Sequence, residues 1–533
     1  MSASEDQSRD LGIFGSSPLV VPLLVCFLTI VFVFRIFFTA WLNLMPDECS
    51  YWTWSRRLDW SYFDNSGMVA YLIRLSTELF GISTPFTVRF PFLALSFCTT
   101  YIIYRVSKLL FGSGRHALLA ATAFNLTPVG ILGASAAVHD NALIFFWLCT
   151  LWASVRFHRS FNRDWFLVIG LMVGLSIQSK YTGVLLLPCL FLFFLTSKEH
   201  RSSLLRHEPW LGVVVALVLA SPIILWNVEH HWASLGHILF IGSGAKSWSR
   251  RILDGLGYHA AQFLIVSPLL YVAMLFSAVN AIAGCIKRHS PEKLLLLWFG
   301  MPLVLFGCMA FRGHVEANWG FMGYVSLLIL SVAVIGERLR DATSRLSRFF
   351  MRKYQIWMLL FALLPTGLVV LHSWVGLLPA SWERRLGKDD RIIWETRGWR
   401  DLGKHVGQLR GPDDVVAADT YQLCALLEFN LPGQPFVRYL APWDRPTQFD
   451  VWEPSLENLR GRTILFVSAK PLIPSSTQRI TIYEHFSHVE SLPAFQVLYH
   501  GTPVREIYVH RGYDFNPTVP RILGPRKLRY ENQ

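Results

Sequence analysis

Long apolar runs separated by short polar segments fill the first 378 residues of this chain. At roughly 20 residues per span, they predict about eleven transmembrane helices. The runs are centred on Leu19–Leu42, Thr87–Leu110, Ala117–Leu132, Ala142–Val155, Trp165–Ile177, Gly183–Leu195, Trp210–Trp226, Ala260–Ile282, Leu294–Phe311, Trp319–Ile335 and Trp357–Leu378. With the N-terminus in the cytoplasm, every second connecting segment is basic. These segments carry Arg105, Lys108 and Arg115; Arg156, Arg159 and Arg163; Lys198, Arg201 and Arg206; Lys287, Arg288 and Lys293; and Arg338 to Lys353. Basic loops mark the cytoplasmic side of a polytopic protein. The same alternation puts Asp47-Glu48, Asp64, His139-Asp140, Lys180, Asn227 to His231 and His314 to Glu316 on the outer side.

From residue 379 the pattern changes. Polar stretches alternate with short β-like runs at Val415–Ala418, Thr463–Ser468 and Phe495–Tyr499, and a helix is predicted over Tyr421–Phe429. The expected architecture is therefore an all-α polytopic membrane domain over 1–378, followed by an extracytoplasmic (periplasmic) α/β domain over 379–533, an ordinary domain length. No internal repeat or low-complexity tract is visible in the sequence.

Composition fits this reading: 53% of residues are hydrophobic and 16% charged, with a mean hydropathy of +0.38. The net charge of +13 would suggest nucleic acid in a soluble protein. Here the Lys and Arg sit in the loops that set orientation, so no nucleic-acid partner is expected. Cysteines are scattered, mostly within apolar runs, with no CxxC and no disulfide framework. The first apolar run is too long for a signal-peptide core and reads as a retained helix.

The polar residues around these runs are the candidates for chemistry. Asp47 and Glu48 stand where the first helix leaves the bilayer, a costly place for carboxylates unless they act or line a wet cavity. Such a group can accept a proton from a hydroxyl or hold a divalent cation. The segment that follows, from Tyr51 to Tyr71, is dense in Trp, Tyr, Arg and Asp, as suits an interfacial pocket for an amphipathic ligand; Tyr62 is its candidate contact. Asp140 precedes an apolar run, where the ordinary explanation is an N-cap. Lys180 ends the fifth run, where a snorkelling anchor is the ordinary explanation and phosphate pairing the functional one. Arg74 and Arg89 are its alternatives. Asp64, His314 and Glu316 offer metal-ligand chemistry, though His-x-Glu alone is a weak signal. Trp226, Asn227 and Trp319 are aromatic-belt or substrate residues. No GxxxxGK[ST] or GxGxxG nucleotide loop is present. An outer-face enzyme needs a donor that arrives through the membrane, and a lipid-phosphate donor meets that need.

The string Asp47-Glu48-Cys49-Ser50-Tyr51-Trp52-Thr53-Trp54-Ser55-Arg56, continued by Asp59-Trp60-Ser61-Tyr62-Phe63-Asp64, resembles the first loop of the bacterial GT-C glycosyltransferases. That branch is related to protein O-mannosyltransferases and the lipid A aminoarabinose transferase. Ala142 to Trp147, Ser179 to Leu185, Pro222 to Asn227, Glu316 to Trp319, Gly398-Trp399 and Gln448 to Trp452 are similar to other family segments. The resemblance implies sugar transfer from a polyprenyl-phosphate carrier at the outer face of the bacterial inner membrane. It matches Asp47 and Asp140 to the acidic positions of the first and second loops, and Asp64 to a metal-linked acidic position. Where relatives often have His-Pro-Pro, this chain has Asn65-Ser66-Gly67.

The expected activity is an inverting transfer to an envelope glycolipid, lipopolysaccharide core or lipid A. Asp47 acts as base, Glu48 and Asp140 shape the acidic site, and Lys180 with Arg74 or Arg89 neutralises the departing phosphate. A divalent metal of unsettled identity is a possible cofactor. The expected partners are the polyprenyl-phosphate-linked sugar, the glycolipid acceptor and membrane lipids. The rivals are a lipid-linked sugar transporter or flippase, a protein O-glycosyltransferase, and an inactive partner subunit. Paired broken helices in two related halves would favour the transporter.

Overall fold

The computed structural model describes residues 20–241, 247–288, 290–313, 315–341, 343–387, 390–440, 446–453, 455–471 and 484–517. Helix α1 (Val20–Trp41) is followed by α2 (Pro46–Arg56), α3 (Met68–Phe80), α4 (Pro85–Phe111), α5 (Gly114–Leu126) and α6 (Pro128–Ile131). Next come α7 (His139–Ser160), α8 (Trp165–Ser179), α9 (Leu186–Thr196), α10 (Glu208–Glu229), α11 (Ala233–Ile241) and α12 (Trp248–Ile265). Helices α13 (Pro268–Arg288), α14 (Pro291–Phe299), α15 (Met301–Met309), α16 (Phe321–Asp341) and α17 (Arg345–Val375) complete the apolar region. The tail contributes α18 (Ala380–Leu386), α19 (Arg391–Thr396), α20 (Trp399–Leu409), α21 (Tyr421–Asn430) and α22 (Gln448–Trp452). Its strands are β1 (Val415–Ala418), β2 (Arg438–Tyr439), β3 (Ile464–Ser468), β4 (His488–Tyr499) and β5 (Thr502–Tyr513).

Among the described residues, five helical segments are long and apolar enough to cross a membrane: Pro85–Phe111, Glu208–Glu229, Pro291–Met309, Ala317–Leu339 and Lys353–Val375. The number rises to eight if each sharply bent pair is one span. Bends of 78°, 85° and 113° separate α1 from α2, α5 from the Pro128–Ser135 segment, and α12 from α13. Proline opens the second member each time, at Pro46, Pro128 and Pro268, where its fixed φ suits a helix start and its missing N–H costs nothing. The run expected as one span over Ala117–Leu132 is accordingly broken at Thr127-Pro128. Shorter apolar helices lie at Trp165–Ser179 and Tyr181–Thr196, where two further spans were expected.

The chain divides into two compact units. The first takes the described residues up to Thr39, then Arg89–Leu225 and Leu239–Leu368. Its core is a continuous apolar cluster that includes Trp147, Phe193, Phe299 and Leu327, all fully buried. Arg35 is buried here too, its guanidinium bonded to Asn125 Oδ1 at 2.8 Å and to the Gly130 carbonyl, so the one charge inside α1 is matched by built-in acceptors. Helices α8 and α10 meet backbone to backbone: a Cβ on Gly170 would stand 2.1 Å from the Gly212 carbonyl oxygen. Small residues at helix contacts permit such approach in a membrane.

The second unit takes Ala40–Val88, Trp226–Ile238 and the described residues from Val369 on. The first loop therefore groups with the tail, whereas the sequence divided the chain at residue 378. The five-stranded sheet runs β2-β1-β3-β5-β4. Strand β1 lies parallel to β2 and β3, whereas β5 is antiparallel to β3 and β4. His500 and Gly501 both adopt positive φ between β4 and β5, as a tight hairpin turn requires. Helix α2 packs on α21: Trp52 meets Phe429 edge-on at 5.0 Å, and Thr53 Oγ1 donates to Glu428 Oε2 at 3.0 Å. Glu428 is fully buried. It also accepts from Val437 N–H at 3.0 Å and lies 3.5 Å from Arg56. Burial dominates its environment and raises its pKa.

Candidate active site

In the second unit, Pro46 starts α2 and places Asp47 and Glu48 in its first turn, where ionised carboxylates complement the helix dipole. The two then diverge. Glu48 is fully buried, and its Oε2 accepts from Met45 N–H at 2.9 Å, the return half of a capping box. Through that contact the Glu48 carboxylate, expected to shape the acidic site, also secures the helix start. Asp47 is exposed. Glu395, on α19, was not found from the sequence. Burial first, then the nearby charges of Asp47 and Glu48, push its carboxyl up to about 7 against the opposing pull of Arg391. Asn43 Nδ2 donates to the Thr396 carbonyl at 2.9 Å and joins this helix to the chain entering α2. Asp47, Glu48 and Glu395 thus form an acidic group on two short helices. No isolated sequence signal marks Glu395, because only the tertiary fold sets it there.

Tyr62 and Trp226, expected as substrate contacts, are packed core. Tyr62 has no exposed surface. It stacks on Trp54 at 4.4 Å, and its hydroxyl donates to the Trp54 and Arg57 carbonyls at 3.1 and 3.2 Å. Trp226 is 1% exposed; its Nε1 donates to Asp59 Oδ2 at 2.9 Å and its ring stacks on His230 at 4.0 Å. Asn227 is buried at the α10–α11 turn, where its carbonyl accepts from Trp232 N–H at 2.6 Å. The aromatic density of the first loop therefore builds a core. Where relatives often have His-Pro-Pro, the chain closes a hydrogen-bonded turn: Tyr62 N–H donates to the Asn65 carbonyl at 3.0 Å, and Ser61 bridges Ser66. Asp64 Oδ1 lies 3.3 Å from His237 Nε2, a residue the sequence reading passed over. A carboxylate and an imidazole are donors that suit a divalent cation. His314 lies outside the described residues.

In the first unit, the α7–α8 hairpin brings Asp140 and Lys180 to the same end of two antiparallel helices. Asp140 is the second residue of α7, and the N-cap position falls to Val138 with no side-chain bond. Its carboxylate instead takes Lys180 Nζ on Oδ1 at 2.8 Å and Asn318 Nδ2 on Oδ2 at 3.0 Å. The Asp140 and Lys180 side chains are 10% and 11% exposed. Lys180 closes α8 in extended conformation, and the chain turns at once into a 3-10 helix over Tyr181–Leu185. Only glycine fits at 183: a Cβ there would stand 2.4 Å from the Ser176 carbonyl. Both ends favour these charges, cation at a helix C-terminus and anion at an N-terminus.

The other expected phosphate ligands are engaged elsewhere. Arg74 is half-buried and paired to Glu78 at 2.6 Å. Arg89 is 2% exposed, with Nη1 on the Thr39 carbonyl at 3.0 Å, where it satisfies the end of α1. Trp319 is half-buried against Phe306, 5.8 Å between ring centroids, beside Glu316 in the turn that carries Asn318.

The family model for dolichyl-phosphate-mannose-protein mannosyltransferase matches residues 64–226. The lipid A galacturonosyltransferase RgtD of Rhizobium johnstonii is 29% identical over 308 residues, 55% of this chain and 63% of that protein. The undecaprenyl phosphate-alpha-4-amino-4-deoxy-L-arabinose arabinosyl transferase of Pectobacterium carotovorum is 25% identical over 358 residues, 61% of this chain and 62% of that protein. The match thus spans under two thirds of each relative. ArnT from Cupriavidus metallidurans, solved with undecaprenyl phosphate, superposes with a TM-score of 0.57 at 15% identity, covering 93% of this chain and 98% of that one. AglB of Archaeoglobus fulgidus, an archaeal oligosaccharyltransferase solved with an inhibitory peptide and a dolichol-phosphate, gives 0.53 at 12% identity over 95% and 75% of the chains. The chain is related in sequence to polyprenyl-phosphate-dependent glycosyltransferases and has the fold of ArnT, as the GT-C resemblance implied.

Proposed function

We propose that this protein is an inner-membrane glycosyltransferase that moves a sugar from a polyprenyl-phosphate carrier to a lipid A-type glycolipid at the outer face. The observation that carries this reading is the buried Lys180–Asp140 pair, secured by Asn318. A cation kept beside a carboxylate and short of bulk water is ready for an incoming phosphate, which can take over the carboxylate's place on it. The sequence relatives act on lipid A or use an undecaprenyl-phosphate sugar, and one solved relative of this fold holds undecaprenyl phosphate.

In this reading the carrier phosphate leaves as an anion, and Lys180 gains most as that charge develops. Asp140 and Asn318 hold the ammonium in place. Asp47, the exposed carboxylate of the first loop, takes the proton of the acceptor hydroxyl. Direct displacement inverts the anomeric carbon. We also assign about eleven spans, counting the short and bent helices, an N-terminus in the cytoplasm, and a periplasmic tail. The basic loops on alternate sides support this orientation.

The test is transfer by the purified chain in nanodiscs, from undecaprenyl-phosphate-linked galacturonic acid or aminoarabinose to lipid A, read by mass spectrometry, together with lipid A profiling of a deletion strain. One of the two donors should support a single-sugar mass gain, and the deletion should remove that sugar. No transfer from either donor, with an unchanged lipid A profile, would overturn the reading.

A further inference from the structure

Helix α7 runs from the Asp140 site to a second polar cluster at its other end. Asp140 and His158 are eighteen positions apart, about 27 Å along a helix. At that end, His158 Nδ1 lies 2.7 Å from His200 Nε2. His200 belongs to the turn after α9 and has no exposed surface; His158 is 8% exposed. Phe157, Phe161, Phe193 and Phe194 surround the His200 ring at centroid distances of 5.3 to 6.4 Å. His158, Glu199 and His200 each offer a ligand atom, and these atoms all lie within 4.8 Å of one another. Glu292, in the first turn of α14, places Oε1 3.5 Å from His158 Nε2, with Arg159 3.8 Å from the same oxygen.

We propose that His158, Glu199 and His200 bind one divalent transition-metal ion of the zinc class, with Glu292 orienting His158. Two arguments support it. First, the donor set of two imidazoles and a carboxylate is one that zinc takes, and its ligand atoms already converge. With His158 Nδ1 and His200 Nε2 on a tetrahedral ion, the two nitrogens would stand about 3.3 Å apart, a small opening from their present separation. Second, ligation through Nδ1 leaves His158 Nε2–H directed at Glu292, the carboxylate–histidine–metal arrangement that fixes a ligand's tautomer.

A second cluster in the fold shows the contrast. His372 Nδ1 accepts from Leu377 N–H at 2.9 Å, so Nε2 carries the proton and gives it to Asp390 Oδ2 at 2.7 Å. Both nitrogens are spent, and no lone pair is left for a metal. Glu383, beside Asp390, is pushed up to about 7, first by burial and then by Asp390. The His158 ion sits far from Lys180 along α7, and its role is to fasten the turn after α9 and the start of α14 to the end of α7.

The experiment is metal analysis of the full-length protein in detergent, with its affinity tag removed, after equilibration with zinc and dialysis. About one zinc per chain is expected, with a melting temperature that falls on chelation and recovers on zinc addition. Glu199→Gln, at an exposed position, tests the site without disturbing the core and should weaken zinc binding by 10-fold or more. Glu292→Gln should weaken it by about 10–100-fold. His200→Gln should abolish stoichiometric binding, and His372→Gln should leave it unchanged. Less than roughly a tenth of an equivalent in the unmodified protein, or full binding retained by both Glu199→Gln and His200→Gln, would overturn the assignment.

Discussion

Replacing Lys180 by Met keeps the apolar stem and removes the ammonium from a pair whose members are about one-tenth exposed. Breaking a buried ion pair on one side typically costs 3–5 kcal/mol, because the remaining charge is left without its partner. Here Asn318 still donates to Asp140, so the low end, about 3 kcal/mol, is expected. Asp140→Asn alone strands the lysine and should cost a similar amount. The double variant Asp140→Asn/Lys180→Met carries no buried charge, and its stability should return to within about 1 kcal/mol of the parent. Turnover should behave differently. If the ammonium meets the departing phosphate, both Lys180→Met and the double variant should lose about 10²-fold or more in kcat, near 2.7 kcal/mol of barrier. The assay pairs thermal unfolding in nanodiscs with single-turnover sugar transfer at saturating donor. Recovery of turnover together with stability in the double variant would refute the reasoning and make the pair a structural fastener.

Asp47→Asn removes basicity at an exposed site and should lower transfer by roughly 10²-fold or more with protein level and melting temperature unchanged; near-normal turnover would exclude Asp47 as the base. Glu395→Gln tests the acidic group through pH. A carboxyl raised to about 7 is bound to its proton more tightly in the folded state, so its contribution is full at low pH and is lost as pH rises through 7. The variant should therefore be more stable than the parent at pH 8 by about 1–2 kcal/mol, allowing for the water that still reaches the group, and indistinguishable below pH 5. A pH-independent difference would show that the carboxyl is not held up. Alkaline phosphatase fused after Gly398 should be active and after Arg345 inactive; the reverse would mean an odd number of miscounted spans.

Much of the tail was legible because strands and caps leave local marks. The runs expected at Val415–Ala418 and Thr463–Ser468 correspond to β1 and β3, and the helix expected over Tyr421–Phe429 is α21. Strand β5 escaped because Thr502 to Tyr513 intersperses Arg505, Glu506, His510 and Arg511 among its apolar residues. Span boundaries were less legible, since a run of apolar residues reads the same whether the helix is straight or bent at a proline. In the site, the charges themselves were visible, but their partners were not. Asp140 and Lys180 are forty residues apart, and only the hairpin of α7 and α8 joins them. Tyr62 and Trp226 misled for a related reason: aromatic side chains suit a binding pocket and a packed core equally well, and burial decides between them.

The second unit is threaded through the chain in three pieces, and this sets a timetable for its birth. Phe63 N–H waits for the Gln448 side-chain carbonyl, its 2.7 Å partner 385 positions later. At about 5–20 residues per second of synthesis, that is roughly 20 to 80 seconds. Through that interval Trp52, Thr53 and Arg56 also lack Phe429 and Glu428. The helix that displays Asp47 therefore has no finished packing surface until the sheet-bearing tail has been made. A ribosome stalled after the last membrane helix would release a protein that already owns Asp47, Asp140 and Lys180. It would still lack the tail side chains on which the Asp47 segment packs.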